Sequence, residues 1–152
     1  MAIALNLTAP LRQDPDSQAR LTQLVDGFAE HMQPLMDRAL EESELVHFAR
    51  VLVIDNRYIQ VLTEFDGDPL AYTEFFRQKL GPVFEVVVSL VEGAPSWDRL
   101  DNPASFLEFM EKLNVRSLGA STVGNDGRGY LYSAIGETTV SELKARLAPV
   151  AS

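Results

Sequence analysis

Residues 45–68, LVHFARVLVIDNRYIQVLTEFDGD, decide the fold class. Two runs rich in Val, Ile, Leu, Phe and Tyr flank a short polar stretch, which is the pattern of a β-hairpin. The expected elements are a strand over 45–54, a turn at 55–58 and a strand over 59–65. Asp66-Gly67 closes the second strand, and Asp68-Pro69 supplies the cap and first residue of a helix. Successive side chains on a strand point to opposite faces, so the loop length decides which residues meet. A two-residue loop would put Arg50 on one face with Phe48, Leu52, Ile59, Val61 and Phe65. A three-residue loop at Asn56-Arg57-Tyr58 separates the sets. His47, Ala49, Val51, Val53, Ile59, Val61 and Phe65 then lie under the helices. Phe48, Arg50, Leu52, Tyr58, Gln60, Leu62 and Glu64 form an open face, with Arg50 directly opposite Glu64. Burying an unpaired guanidinium costs several kcal/mol, whereas a cross-strand ion pair contributes roughly 0.2–1 kcal/mol. The second register is therefore expected.

Outward from the hairpin, residues 2–9 alternate as a half-buried strand, with Ile3, Leu5 and Leu7 on one side. Asp14-Pro15 starts a helix carrying Leu21, Leu24, Val25, Phe28 and Met32, which Pro34 kinks or splits near His31. A helix over roughly 69–80 carries Tyr72, Phe75, Phe76 and Leu80, and Gly81-Pro82 breaks it. Residues 83–91, VFEVVVSLV, fit either a strand, through their β-branched content, or a helix, through the proline at its start. Phe106, Leu107, Phe109, Met110 and Leu113 mark a short amphipathic helix. Residues 117–123 are compatible with extended chain, and Asn125-Asp126-Gly127-Arg128-Gly129 is a turn signal. YLYSAI, residues 130–135, is expected to be a strand that adds Tyr130 and Tyr132 to the open face beside Asn6 and Thr8. Thr139 and Glu142 form a capping box for a last helix at about 139–148. With a helical insertion at about 81–127 set aside, the order β-α-β-β-α-β is the split βαβ, or ferredoxin-like, α+β plan in a single domain over 1–152.

Composition excludes several functions. The chain carries 13 basic and 22 acidic residues, a formal charge of −9, and no Lys/Arg cluster, so neither nucleic acid nor an anionic membrane is an expected partner. It has no cysteine, which removes thiol nucleophiles, Cys-ligated zinc and Fe–S clusters. The N-terminus lacks the basic start and apolar core of a signal peptide, and a cytoplasmic location is expected. Its two histidines, His31 and His47, show no metal-ligand spacing; His31 is expected to be solvated and His47 to be a hydrogen-bonded core residue. Asp66-x-Asp68 lacks the later acidic positions of a calcium loop and is better understood as a turn and a cap. Gly124-x-x-Gly127-x-Gly129 has no following Lys-Ser/Thr, and no G-x-S-x-G elbow is present. No metal and no cofactor is expected. Trp97 either lids a pocket or packs on the insertion.

His47-Phe48-Ala49-Arg50 followed by VLVID, Glu64-Phe65-Asp66-Gly67, Phe75-Phe76, Leu80-Gly81-Pro82-Val83-Phe84, Glu92-Gly93-Ala94-Pro95 and Tyr132-Ser133-Ala134 carry a resemblance over residues 45–148. This pattern resembles a largely uncharacterised bacterial group of ferredoxin-like proteins near the dye-decolourising peroxidase and chlorite dismutase superfamily. The resemblance implies a dimeric α+β barrel and makes 83–91 helical. In haem-binding members the proximal histidine comes from a C-terminal helix. This chain has no histidine after His47, so the resemblance brings no haem and no catalytic residue.

The expected site is the open sheet face, with Arg50, Glu64, Tyr58, Tyr130 and Tyr132 as ligand-binding residues. A small apolar or weakly anionic molecule, or a partner, is the first reading of what binds there. An oxygenase- or peroxidase-like enzyme of the dimeric α+β-barrel type is the second, with Arg50 holding an anion and Glu64 or a tyrosine moving protons. A homodimer through the open face or its edges is expected, and a purely structural dimer is the third reading.

Overall fold

The computed structural model describes residues 2–120 and 129–149. Its elements are β1 (Ala2–Pro10), α1 (Pro15–His31), α2 (Gln33–Glu42), β2 (Val46–Ile54), β3 (Tyr58–Asp66), α3 (Pro69–Ser89), α4 (Trp97–Leu100), α5 (Pro103–Leu113) and α6 (Val140–Leu147). The three strands form one antiparallel sheet in the order β1-β3-β2. The architecture is α+β.

Helix starts follow the caps that the sequence advertises. The Asp14 carboxylate accepts from Ser17 N–H at 3.0 Å, and Asp68 accepts from Ala71 N–H at 3.4 Å, each with proline next in sequence. Pro34 lies in the first turn of α2, where a missing N–H costs nothing, so the chain divides at Met32 rather than bending. Gly81-Pro82 has a different outcome from the expected break. Leu80 leaves helical geometry at φ −122°, ψ 20°, and the helix resumes to Ser89 as a kinked α3. Residues 83–89 are therefore helical, and Val83, Val87 and Val88 enter the core.

The helix-covered sheet face is apolar except at Thr63. Ile3, Leu5, Leu7 and Ala9 pair with Phe65, Thr63, Val61 and Ile59. Phe65 stacks on Tyr72 at a centroid distance of 4.2 Å, and Tyr72 continues to Phe76 at 5.0 Å. Burial of a side chain such as Phe65 stabilises by about 1.5–3 kcal/mol. One polar contact sits within this layer. The Thr63 and Tyr72 hydroxyls share a 2.7 Å hydrogen bond, and burial pushes the Tyr72 hydroxyl well above the usual phenol range. Trp97 packs edge-on against Phe106 at 5.7 Å, so it belongs to the helical layer and not to a lid.

The hairpin register corrects the expectation in one respect. The loop is three residues, Asp55-Asn56-Arg57, with Ile54 paired to Tyr58. Asp55 and Asn56 take positive φ of 51° and 53°, which short side chains of this kind tolerate, and Arg57 N–H donates to Ile54 O at 2.9 Å. Relative to a loop at 56–58 this shifts the cross-strand partner by two. Apart from His47, both faces keep their residues, but Arg50 pairs with Leu62 and Glu64 with Phe48. A bulge between Val46 and Phe48 removes His47 from the alternation.

Residues 130–135 are not a strand, and the described residues contain no fourth strand. The outer edge of β1 is covered by loops. Val115 N–H donates to Asn6 O, Glu92 N–H to Pro10 O, and the Asn6 amide bonds Val115 O and Ser117 Oγ. YLYSAI has strand-like residues, but the β1 edge, where a fourth strand would pair, is already taken by these loops. Gly129, just before YLYSAI, has φ +81° and meets the Ser117 carbonyl so closely that any Cβ would overlap it. Residues 118–120 bend, while 121–123 and most of the expected turn at 125–129 lie outside the described residues. The last helix spans Val140–Leu147 with the expected capping box: Thr139 Oγ1 accepts from Glu142 N–H at 3.2 Å and Glu142 Oε2 from Thr139 N–H at 2.9 Å. No described helix is long and apolar enough to cross a membrane.

Replacing Tyr72 with Phe is expected to cost about 1–3 kcal/mol in urea unfolding, because the buried Thr63 hydroxyl loses its partner. The double variant Thr63→Val/Tyr72→Phe is expected to recover most of that loss. A double variant no better than the single one would show that packing, not the hydrogen bond, carries the effect.

Candidate functional site

The even-numbered residues of β2 and β3 form the sheet face opposite the core, among them Phe48, Arg50, Leu52, Ile54, Tyr58, Leu62 and Glu64. This face is partly covered from an unexpected direction. Residues 131–136 and α6 stand over its end near Val46 and Asp66 and enclose a groove of about 790 Å³. Phe48, Arg50, Glu64 and His47 line one side; Tyr132, Ile135, Leu143 and Leu147 line the other. The walls are mainly apolar with a few convergent polar groups, as in small-molecule sites.

Asp66 holds this arrangement together. It is the last residue of β3 and on the same parity as Glu64. Its Oδ2 accepts from Val140 N–H at 2.8 Å, at the first turn of α6, where the helix dipole favours a carboxylate. Its Oδ1 meets His47 Nε2 at 2.9 Å, with the two side chains 8% and 7% exposed. The bulge turns His47 toward this carboxylate instead of placing it under the helices with Ala49. His47 is a hydrogen-bonded buried histidine, as expected, but on the other side of the sheet. At the far end of α6, Lys144 Nζ donates to the Glu41 and Ser43 carbonyls and lies 3.6 Å from Glu44 Oε1. The groove wall is thus tied down at both ends by charged groups.

Two of the expected site residues meet across the sheet without touching. Among the described residues Arg50 makes no hydrogen bond or ion pair, though it lies near enough to Glu64 to lower that carboxyl's pKa. Burial is the larger influence and raises Glu64 above the usual carboxylate range, with Arg50 and His47 opposing it. Tyr132 lines the groove and is 78% exposed, and Phe48, at 73%, is the most exposed apolar side chain on the sheet. Tyr58 and Tyr130 do not line the groove. Tyr58 sits at the far end of β3, opposite Ile54 and Pro10. Tyr130 packs against Tyr132 at a centroid distance of 4.7 Å. His31 is exposed, 4.0 Å from Glu30.

Sequence reasoning missed Asp66 as a structural carboxylate, because DGD reads locally as turn and cap. It also missed Leu143 and Leu147. The signal for these was present: they lie four apart on a helix that the capping box predicts, and Leu147 is left unburied. Among the described residues no three His, Asp or Glu side chains gather as a metal site. Comparisons with protein-family models, curated proteins and solved structures find no match.

The raised pKa of Glu64 has a signed consequence. The folded state retains a proton that the unfolded chain releases, so this contribution to stability is fully present below about 4.5, the ordinary value, and is lost as pH rises through the folded value. Glu64→Gln removes the titration. Urea unfolding across pH 4–8 is expected to show the variant gaining on the wild type as pH rises. Parallel profiles would place Glu64 in an environment no different from solvent.

Proposed function

We propose that this protein is a binding domain that takes an amphipathic molecule, apolar in body and anionic at one end, in the groove between the open sheet face and α6. The observation that carries the reading is the Arg50 guanidinium, without a hydrogen bond or ion pair among the described residues, at the lip of a mainly apolar 790 Å³ groove. A cation there offers an anion one charge-assisted contact, while Phe48, Leu143 and Leu147 offer apolar surface. Burial raises the Glu64 pKa above its ordinary value, and Arg50 and His47 oppose the rise. The ferredoxin-like plan is part of the same proposal; the antiparallel order β1-β3-β2 supports it as the first three strands of a split βαβ arrangement. A cytoplasmic location agrees with the acidic, cysteine-free composition.

Dodecanoate and dodecanol are suitable probes in competition with a fluorescent apolar dye. Arg50→Ala is expected to weaken dodecanoate about tenfold, equivalent to ~1.4 kcal/mol, and to leave dodecanol within twofold. Equal loss for both probes would remove the role of charge. No binding of either would remove the reading.

A second reading, a homodimer through the far half of the open face, is favoured by the exposure of Leu52, Ile54 and Tyr58 beyond the groove. Leu52→Asp is then expected to lower the mass seen in sedimentation while the circular dichroism spectrum stays unchanged. For the enzyme reading, Glu64 and Tyr132 remain at the groove as proton-handling groups, whereas Tyr58 and Tyr130 lie outside it.

A further inference from the structure

The sheet has two outer edges, and they are treated differently. The edge of β1 is covered: Asn6 O and Pro10 O accept backbone N–H groups from Val115 and Glu92. Those bonds also reveal the hydrogen-bonding phase of the whole sheet. Even residues of β1 face outward, so odd ones face β3. Odd residues of β3 then face β1, and even residues of β3 face β2. Even residues of β2 face back to β3, which leaves the N–H and C=O groups of Ala49, Val51 and Val53 directed at the free edge. Among the described residues nothing pairs with them.

This open edge runs between two depressions. On the open-face side lies the 790 Å³ groove; on the helix side lies a second of about 230 Å³ lined by Phe28, Met36 and Asp37. Leu40 of α2 and Ala49 and Arg50 of β2 border both, so the two depressions adjoin at the strand edge. Side chains of a strand added beside β2 would alternate between the two, which is the geometry of recognition by strand addition. A β2 strand of a second copy is a poor occupant. VHFARVLVI contains Arg50 and no carboxylate, so no register of self-pairing within this strand gives Arg50 an opposite charge.

We infer that the free edge of β2 takes an extended peptide as an additional strand, with apolar side chains on both flanks and an acidic side chain on the Arg50 flank. The inference rests on the groove being a binding site and names the class of occupant. Backbone hydrogen bonds from Ala49, Val51 and Val53 hold the strand, and Arg50 selects its register.

The probe is the acetylated, amidated peptide Thr-Ile-Val-Asp-Val-Ile-Thr, measured by calorimetry and by backbone amide shifts. Binding is expected to move the amides of Ala49, Val51 and Val53. N-methylation of the two valines and N-methylation of the two isoleucines place methyl groups on opposite edges of the peptide. One set is expected to weaken binding at least tenfold and the other less than twofold. Arg50→Glu is expected to lose the Asp peptide and gain the same peptide with Lys in place of Asp. Val51→Pro removes one outward N–H that the fold does not use, and is expected to fold and to bind more weakly. Equal effects of both methylation sets would overturn strand addition. If dodecanoate binds and the peptide does not, the groove reading stands and this inference fails; if neither binds, both fail. A dimer that Val51→Pro dissociates would also overturn it, since a second copy would then own the edge.

Discussion

Strand β3 is paired on both sides, and its two-residue period governs everything around it. Odd residues from Ile59 to Phe65 point into the helical layer, and even residues from Tyr58 to Asp66 point away. A slip of one residue would exchange the two sets and bury Glu64 in the helical layer while exposing Phe65. That cost pins the register of both neighbours. The same period fixes which backbone groups of β2 remain unpaired, because a central strand serves one neighbour with its odd residues and the other with its even ones.

Where β3 ends, Asp66 converts the sheet into a site. Its two carboxylate oxygens meet different parts of the chain, His47 in the bulge and the N-terminus of α6. A buried carboxylate is tolerated because each oxygen has a donor and the helix end carries partial positive charge. The consequence reaches beyond Asp66. Docking of α6 raises a wall of Leu143, Leu147 and Tyr132 over Phe48 and Arg50, and an exposed face becomes a groove. Lys144 secures the other end on the carbonyls that close α2.

Much of this was legible because it depends on local chemistry. Caps at Asp14, Asp68 and Thr139 form where short polar side chains precede proline or a helical stripe. The separation of faces in the hairpin also survived a misplaced loop. Moving the loop by one residue changes the partner by two and leaves parity intact, so Arg50 and Glu64 kept their face and lost their direct contact. The remainder failed where the outcome depends on distant chain. YLYSAI has strand chemistry, but a strand exists only against an edge, and loops 91–92 and 114–117 already cover β1. Gly81-Pro82 is a local stop signal, yet the packing of Val83, Val87 and Val88 carries the helix past its kink.

By itself, then, the sequence determined the helix starts at Asp14, Asp68 and Thr139, the sheet's hairpin, the division of that hairpin into apolar and mixed faces, and the absence of thiol chemistry. These follow from period, capping and composition, which act over a few residues. Tertiary structure alone decided that His47 and Asp66 meet, that α6 walls one end of the open face, and that β2 rather than β1 keeps a free edge. Each joins residues far apart in the chain, such as Asp66 and Val140, and no local propensity encodes which distant groups will satisfy a buried carboxylate or an unpaired strand.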